Sequence, residues 1–383
     1  MKSCRRILFL LLVFLCATEA GAGGFDENVF IESASLVLVS ESQSSLASLF
    51  GHSFLKLEGR GKVHALSYYN RSDLTFFSLL DALLGRSEGF FALLPYREMR
   101  EAYLVKEQRS LWEFKLKLTK EECQALKEHV RVLENRRDRY HFVTNNCNSK
   151  MEELLSLSNA EYQKKNMKGF ITPLEYSQFL LEHGLVAEIT YLPAKKHKDA
   201  AMPEVWNYPS SSRLAFSAVK DGVILEASPI YHDKLQAQQY DHEVDLRLLG
   251  VSAKFGRSVK IEGIDVFSLT SYETITPSID IGYHKGLRSM VGLGSTVRMG
   301  RLSLYAIPCA GMREGRAMLS ARAGAMAKIA GAASLMAEYE DGSDYNMFRA
   351  GVNVRLGKNC ELQSVYSLKG KEQNIMVSLR MYF

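Results

Sequence analysis

Two rhythms of apolar residues divide this chain. Up to about residue 194, extended stretches alternate with stretches that repeat every three to four positions. Ser35–Val39, Gly51–Leu57, Val63–Tyr69 and Ser110–Leu118 read as strands. Thr119-Lys120-Glu121-Glu122 has the S/T-x-x-E spacing that lets a hydroxyl and a carboxylate close a first helical turn, predicting a helix to about Glu134. A second helix is expected to open near Cys147 and carry Met151, Leu154 and Leu155 inward. A third follows Pro173 with Tyr176, Phe179 and Leu180. Residues 23–194 are therefore expected to form an α+β domain.

After a polar connector at residues 195–212, with Lys195, Lys196, Lys198, Pro203 and Pro209, the period becomes two. Ile375, Val377, Leu379, Met381 and Phe383 alternate with Asn374, Met376, Ser378, Arg380 and Tyr382. Ile279, Ile281 and Tyr283 keep the same beat, as do Val352, Val354 and Leu356. A soluble sandwich turns such apolar residues into a dry core, whereas an outer-membrane barrel turns them to lipid. The aromatic ending Met381-Tyr382-Phe383 resembles the assembly signal of bacterial outer-membrane barrels. Lys285-Gly286, Met299-Gly300-Arg301 and Asp341-Gly342-Ser343 punctuate segments near the length that a tilted membrane strand needs. The expectation for residues 213–383 is an all-β antiparallel barrel of about eight to twelve strands in the outer membrane, with the sandwich as the alternative. In the Ala-rich stretch 317–333, Leu319, Ala321, Ala323, Ala325 and Ala327 share one strand face, so strand is expected there.

The first residues read as an export signal. Lys2, Arg5 and Arg6 precede the apolar run Ile7–Leu15, and Ala20-Gly21-Ala22 gives an A-x-A cleavage site, so residues 1–22 are expected to be removed. Cys16 offers a lipoprotein alternative, although Leu15 stands where such signals carry a small residue. No run of 18 apolar residues follows position 25, which excludes a bundle of membrane helices. Composition, with 46% hydrophobic and 24% charged residues, excludes a disordered chain. Loss of residues 1–22 removes three basic side chains and Glu19, lowering the formal charge from +5 to +3. That is too little to argue for a nucleic-acid partner. The basic excess concentrates between Ile281 and Leu335, where eight Lys or Arg face a single acid, Glu314. These side chains either line a barrel interior or meet anionic lipid head groups.

Four cysteines remain after the signal: Cys123, Cys147, Cys309 and Cys360, with no C-x-x-C pair. They do not form a recognisable disulfide framework, which leaves room for a working thiol. The sharpest local pattern is Thr144-Asn145-Asn146-Cys147-Asn148. Asparagine is a good helix N-cap, so Cys147 is expected in a first turn, where unpaired amides and the helix dipole favour a thiolate. The plain alternative is a buried structural cysteine. A nucleophile needs a base, and His52 in Phe50-Gly51-His52-Ser53-Phe54 is the candidate. Gly51 would let the chain turn tightly into the strand. His64 lies twelve residues on, and a hairpin between them would bring the two imidazoles together so that His64 orients His52. His52, His64, His141 and Cys147 lack the spacing of a recognised zinc motif, and no G-x-S-x-G, Walker or dinucleotide signature is present. No cofactor is expected.

The order of these parts, a strand histidine, a second polar residue a dozen positions on and a late Asn-Cys at a helix start, resembles the circularly permuted NlpC/P60-like branch of papain-like enzymes, which includes lecithin:retinol acyltransferase-like proteins. A closer resemblance covers residues 35–190. Phe50-Gly51-His52-Ser53-Phe54-Leu55-Lys56-Leu57, Tyr68-Tyr69-Asn70, Arg109-Ser110-Leu111-Trp112-Glu113-Phe114, Leu118-Thr119 and Asn145-Asn146-Cys147 are similar to the Lnb-type periplasmic domain of bacterial lipoprotein N-acyltransferases. Asn70 departs from the family's glycine, and Asn148-Ser149-Lys150 from its acidic or arginine-bearing pattern after the cysteine. The resemblance implies a papain-like fold with Cys147, His52, His64 and Asn146 as the site, and a thioester formed on Cys147. It also implies an acyl group from lipoprotein or phospholipid. Cleavage of peptidoglycan peptides and a non-catalytic outer-membrane binding protein stay open as alternatives.

Overall fold

The computed structural model describes residues 29–41, 51–70, 81, 85–133, 136–142, 144–164, 171–195, 201–236, 244–272, 274–284, 286–330, 332–343 and 345–383. The export signal, Phe50, Val143 and Lys285 lie outside these residues, as do residues 196–200 of the connector. The chain divides into two units. The first takes described residues 29–39, 52–164 and 179–195, and the second takes 40–41, 51, 171–178 and 201–383. The opening of the third predicted helix, residues 173–178, groups with the second unit.

The first unit is α+β. Its strands are β1 (Ser33–Val39), β2 (His52–Gly59), β3 (Lys62–Asn70), β4 (Ser87–Pro95), β5 (Leu111–Leu116), β6 (Arg137–Tyr140) and β7 (Val186–Leu192), in the antiparallel order β6-β4-β3-β2-β1-β5-β7. Helices α1 (Tyr96–Glu101), α2 (Lys120–Arg131) and α3 (Cys147–Ser158) accompany them, while α4 (Pro173–Glu182) begins in residues grouped with the second unit and ends in the first. The capping box read at Thr119 is present: Glu122 N–H donates to Thr119 Oγ1 at 3.2 Å, and Thr119 N–H to the Glu122 carboxylate at 2.8 Å. Near the middle of the sheet, β1 buries side chains on both faces. Val37 and Val39 pack with Phe54, Tyr96, Met99 and Tyr103, which explains why β1 reads as a continuous apolar run.

The second unit is a closed barrel. β8 (Arg213–Val219) and β9 (Gly222–Ser228) form a hairpin, and the short β10 (Ile230–His232) follows. The remaining strands are β11 (Val244–Phe255), β12 (Val259–Ser271), β13 (Thr276–Tyr283), β14 (Leu287–Met299), β15 (Leu302–Arg313), β16 (Arg316–Ala330), β17 (Ala333–Gly342), β18 (Tyr345–Gly357), β19 (Cys360–Lys369) and β20 (Glu372–Tyr382). β20 pairs with β8, and β9 with β11, so twelve strands complete the ring and β10 adds a short pairing on β11. Closure satisfies the backbone groups that lipid cannot. The Ala-rich stretch runs as strand β16, as its alternation predicts. Its hairpin to β15 turns on Glu314-Gly315, both at positive φ (52° and 78°), the conformation of a two-residue type I′ loop.

The barrel is inverted relative to a soluble protein. On β20, Ile375, Val377 and Leu379 are 61%, 42% and 39% exposed, while Ser378 and Arg380 are 1% and 4% exposed. A sandwich core would show the reverse, so this is a barrel of the outer-membrane kind. The basic stretch after Ile281 supplies some of the interior. Arg288 pairs with Asp280 at 2.7 Å, and Arg322 donates to Ser278 Oγ at 2.5 Å. Leu293 lies at the centre of β14 and is 63% exposed. Leu293→Arg is expected to destabilise the barrel by about 2–4 kcal/mol if that position lies at the bilayer midplane, measured by denaturant unfolding in phospholipid vesicles.

Candidate thiol site

Asn146 caps α3 and places Cys147 at its first position. Ser149 N–H donates to Asn146 Oδ1 at 3.0 Å, Asn146 N–H donates to Ser149 Oγ at 2.9 Å, and Asn146 Nδ2 donates to the Phe142 carbonyl at 2.9 Å. Both ends of the amide are thus spent on local structure. Asn146 was expected among the site residues; its geometry is that of a positioning residue that fixes where the helix begins.

Cys147 is buried, 9% exposed. Its sulfur lies among hydrogen-bond donors: the backbone N–H and hydroxyl of Ser53, the N–H of Asn148 and its own N–H. These donors favour the thiolate, as a helix N-terminus should. Burial acts the other way and outweighs them, pushing the thiol above its ordinary value of 9.0. The expected lowering therefore does not occur in this resting arrangement. The helix-end effect is present, but desolvation exceeds it.

Ser53 is the residue that sequence reasoning missed. Its hydroxyl donates to Asn148 Oδ1 at 3.3 Å, so it ties β2 to the mouth of α3. The signal was its place directly after His52. Strand alternation sends the two side chains to opposite faces, so only one can face the helix.

His52 points to the aromatic side. Its ring stacks on Tyr69 with centroids 5.7 Å apart and lies 6.3 Å from the Tyr103 ring, and Nε2 bonds Ser67 Oγ at 2.8 Å. Burial, reinforced by the nearby Arg109 guanidinium, lowers its pKa to about 3, so the imidazole is neutral. Burial also raises Tyr69 to about 12, and Ser67 serves it as a hydrogen-bond partner. Among the described residues, no hydrogen bond joins the His52 ring to the Cys147 sulfur. It is the Ser53 backbone, and not the His52 ring, that lies beside the thiol and favours its ionised form. Gly51, just before it, has φ 76°, the left-handed turn into β2 that its identity suggested.

His64 does not join His52. In the β2–β3 register it stands opposite Leu57, five residues along from His52, roughly 16 Å at about 3.3 Å per residue. Leu57 and His52 also differ by an odd number of positions and face opposite sides. The hairpin forms as expected, but its tight Arg60-Gly61 turn fixes a register in which Ser67, not His64, holds the imidazole. The other cysteines, Cys123, Cys309 and Cys360, are free. Among the described residues, no three His, Cys, Asp or Glu side chains gather as a metal-ligand set.

Residues 24–182 match the family model of the Lnb N-terminal periplasmic domain. Over these residues, about two fifths of the chain, the protein is similar to that family. No curated protein matches the chain. Among solved structures, the KdgM porin is similar over 45% of this chain and 98% of its own at 11% identity and a TM-score of 0.33. The outer membrane protein Omp33 of Acinetobacter baumannii is similar over 46% and 98% at 11% identity and 0.28. The NanC porin is similar over 45% and 98% at 4% identity and 0.30. All three lie well below the likeness that would carry functional meaning; closure of the ring and the inverted faces of its strands stand on their own.

Two outcomes test this geometry. Because burial raises the thiol, the rate of Cys147 alkylation by iodoacetamide should climb through pH 9 without a plateau between pH 6 and 8, as read by peptide mass spectrometry. Ser53→Ala should move the curve further to alkaline pH. Asn146→Ala should cost about 1 kcal/mol through loss of the cap, measured as a lower thermal midpoint of the periplasmic unit.

Proposed function

We propose that the chain is an outer-membrane-anchored thiol enzyme that transfers or hydrolyses acyl groups, with Cys147 as nucleophile and His52 as its base. The observation that carries this reading is the place of Cys147 at the capped first position of a helix, its sulfur buried beside the backbone N–H groups of Ser53, Asn148 and Cys147 itself. Fixed donors of this kind stabilise developing negative charge without reorganising. A structural cysteine does not need them. The layout, a histidine at the start of a central strand and a cysteine opening a helix docked on that strand, is compatible with a permuted papain-like arrangement.

The resting pair is neutral: a thiol held above its usual pKa and an imidazole held well below its own. The imidazole is therefore always in its proton-accepting form, although a weak base. His52 rests on the other face of β2, so an acyl substrate entering beside Ser53 must turn the first residues of the strand about Gly51, freeing His52 from Ser67 and bringing its ring round to the sulfur. The sulfur attacks the ester carbonyl as its proton passes to His52. The carbonyl oxygen takes the negative charge and receives the backbone N–H groups, each worth on the order of 3 kcal/mol. Collapse of this adduct breaks the ester C–O bond, and the leaving alkoxide takes the proton from His52, leaving a thioester on Cys147. An amine or a water then attacks the thioester carbonyl and returns the proton to sulfur through the same imidazole. Arg109 disfavours a lasting imidazolium and so favours passing the proton on. Phospholipid and lipoprotein are the acyl sources that fit an enzyme anchored in the membrane.

The test is to incubate the full chain, in vesicles of phosphatidylethanolamine and phosphatidylglycerol, with a diacylated lipopeptide and to follow acyl products by mass spectrometry. Cys147→Ala is expected to abolish turnover, His52→Ala to lower it about 10²–10⁴-fold, and His64→Ala to leave it unchanged. Turnover by Cys147→Ala overturns the proposal. Release of peptides from purified peptidoglycan by the wild type, with lipid untouched, moves the substrate to the cell wall.

A further inference from the structure

Twelve strands enclose more space than the eight of barrels that wall side chains alone can fill, and fewer than the sixteen to eighteen of water-filled porins. What occupies the lumen therefore decides what this barrel can do. Past β10 the chain turns inward, and Asp233, Lys234, Leu235 and Gln236 are all buried, at 7%, 8%, 1% and 2% exposure. Their partners sit all round the ring. Asp233 accepts from Arg380 of β20 at 2.6 Å. Lys234 donates to Glu338 of β17 at 2.9 Å, to Tyr305 of β15 at 3.2 Å and to Tyr272, just past β12, at 3.2 Å. The Leu235 carbonyl accepts from Ser334 of β17 and from Asn353 of β18, the latter at 3.1 Å. Arg349 of β18 completes the charge balance on Glu338 at 2.6 Å.

A four-residue segment bonded to strands on several sides of the ring crosses its interior. Beside it, Tyr272, Met290, Tyr305, Ile307, Cys309, Met318 and Met326 pack as a buried apolar cluster, where an aqueous channel would show polar, wetted side chains. The charges that hold the segment are paired: Asp233 with Arg380, and Glu338 with both Lys234 and Arg349. Satisfied ion pairs inside a low-dielectric wall are hard to break singly, since the orphaned partner is left buried.

We infer that residues 233–236 are a built-in plug and that the barrel is a sealed anchor for the periplasmic domain and not a diffusion channel. The inference does not depend on Cys147. Its test is single-channel recording in planar phospholipid bilayers of the full chain, with folding of each sample checked by heat-modifiable electrophoretic migration. Folded wild type is expected to give no conductance steps. A folded Asp233→Asn/Lys234→Gln variant, which loses both anchors of the segment, is expected to give flickering steps. Persistent wild-type conductance overturns the inference. Silence in both folded proteins overturns the role of the segment, because the wall side chains would then seal the lumen unaided.

Discussion

The docking of the α3 N-terminus on the first residues of β2 is the contact on which the candidate site depends. It is made by few atoms: the Asn146 cap sets where the helix starts, and Ser53 bonds Asn148 at its second position and lies beside Cys147 at its first. Because the sulfur sits beside Ser53 of β2, any shift of α3 along β2 would carry Cys147 away from that residue. The neighbouring Lys150, buried and paired with Asp138 of β6 at 2.9 Å and with Glu153 at 2.8 Å, holds the same turn from its other side. A buried cation of this kind would be costly unpaired, so the pairings pin the helix in rotation as well as in register.

Two solvents shape the two halves of the chain. In the periplasmic unit, apolar residues retreat from water onto both faces of a seven-stranded sheet, and the polar groups left inside are those of the thiol site and a few ion pairs. In the barrel the same alternation is turned outward to hydrocarbon, and polarity gathers inside. The interior is nonetheless not simply wet. An apolar cluster and an inward segment share it with paired charges, an economy consistent with a barrel that serves to hold a domain at a membrane.

Much of this was legible beforehand, for physical reasons. Period-two alternation, the Thr119 capping box and the Asn146-Cys147 helix start are local signals, and each appears where its residues placed it. The direction in which the barrel strands face is not a local property; alternation looks the same in a sandwich, and the terminal aromatic and strand lengths had to decide it. The site was only half legible. A strand histidine and a helix-start cysteine were visible as types, but β-hairpin register depends on where the turn falls, and a tight Arg60-Gly61 turn carried His64 far from His52. The thiol's pKa failed for a related reason: the helix-end effect can be read from sequence, whereas the burial that exceeds it belongs to the packed fold. The inward run 233–236 follows β10 without any composition cue, since its meaning lies in partners up to about 150 residues away along the chain.

The central claim is that Cys147 forms bonds during turnover. The measurement closest to it is peptide-resolved mass spectrometry of the His52→Ala chain isolated from its own outer membrane, with and without hydroxylamine. A hydroxylamine-labile acyl mass on the Cys147 peptide, absent from the Cys123 peptide, is the predicted result, because without the base the thioester forms slowly during growth but is resolved more slowly still. An unmodified Cys147 in that variant, together with equal alkylation of Cys147 and Cys123 in the wild type, contradicts the claim.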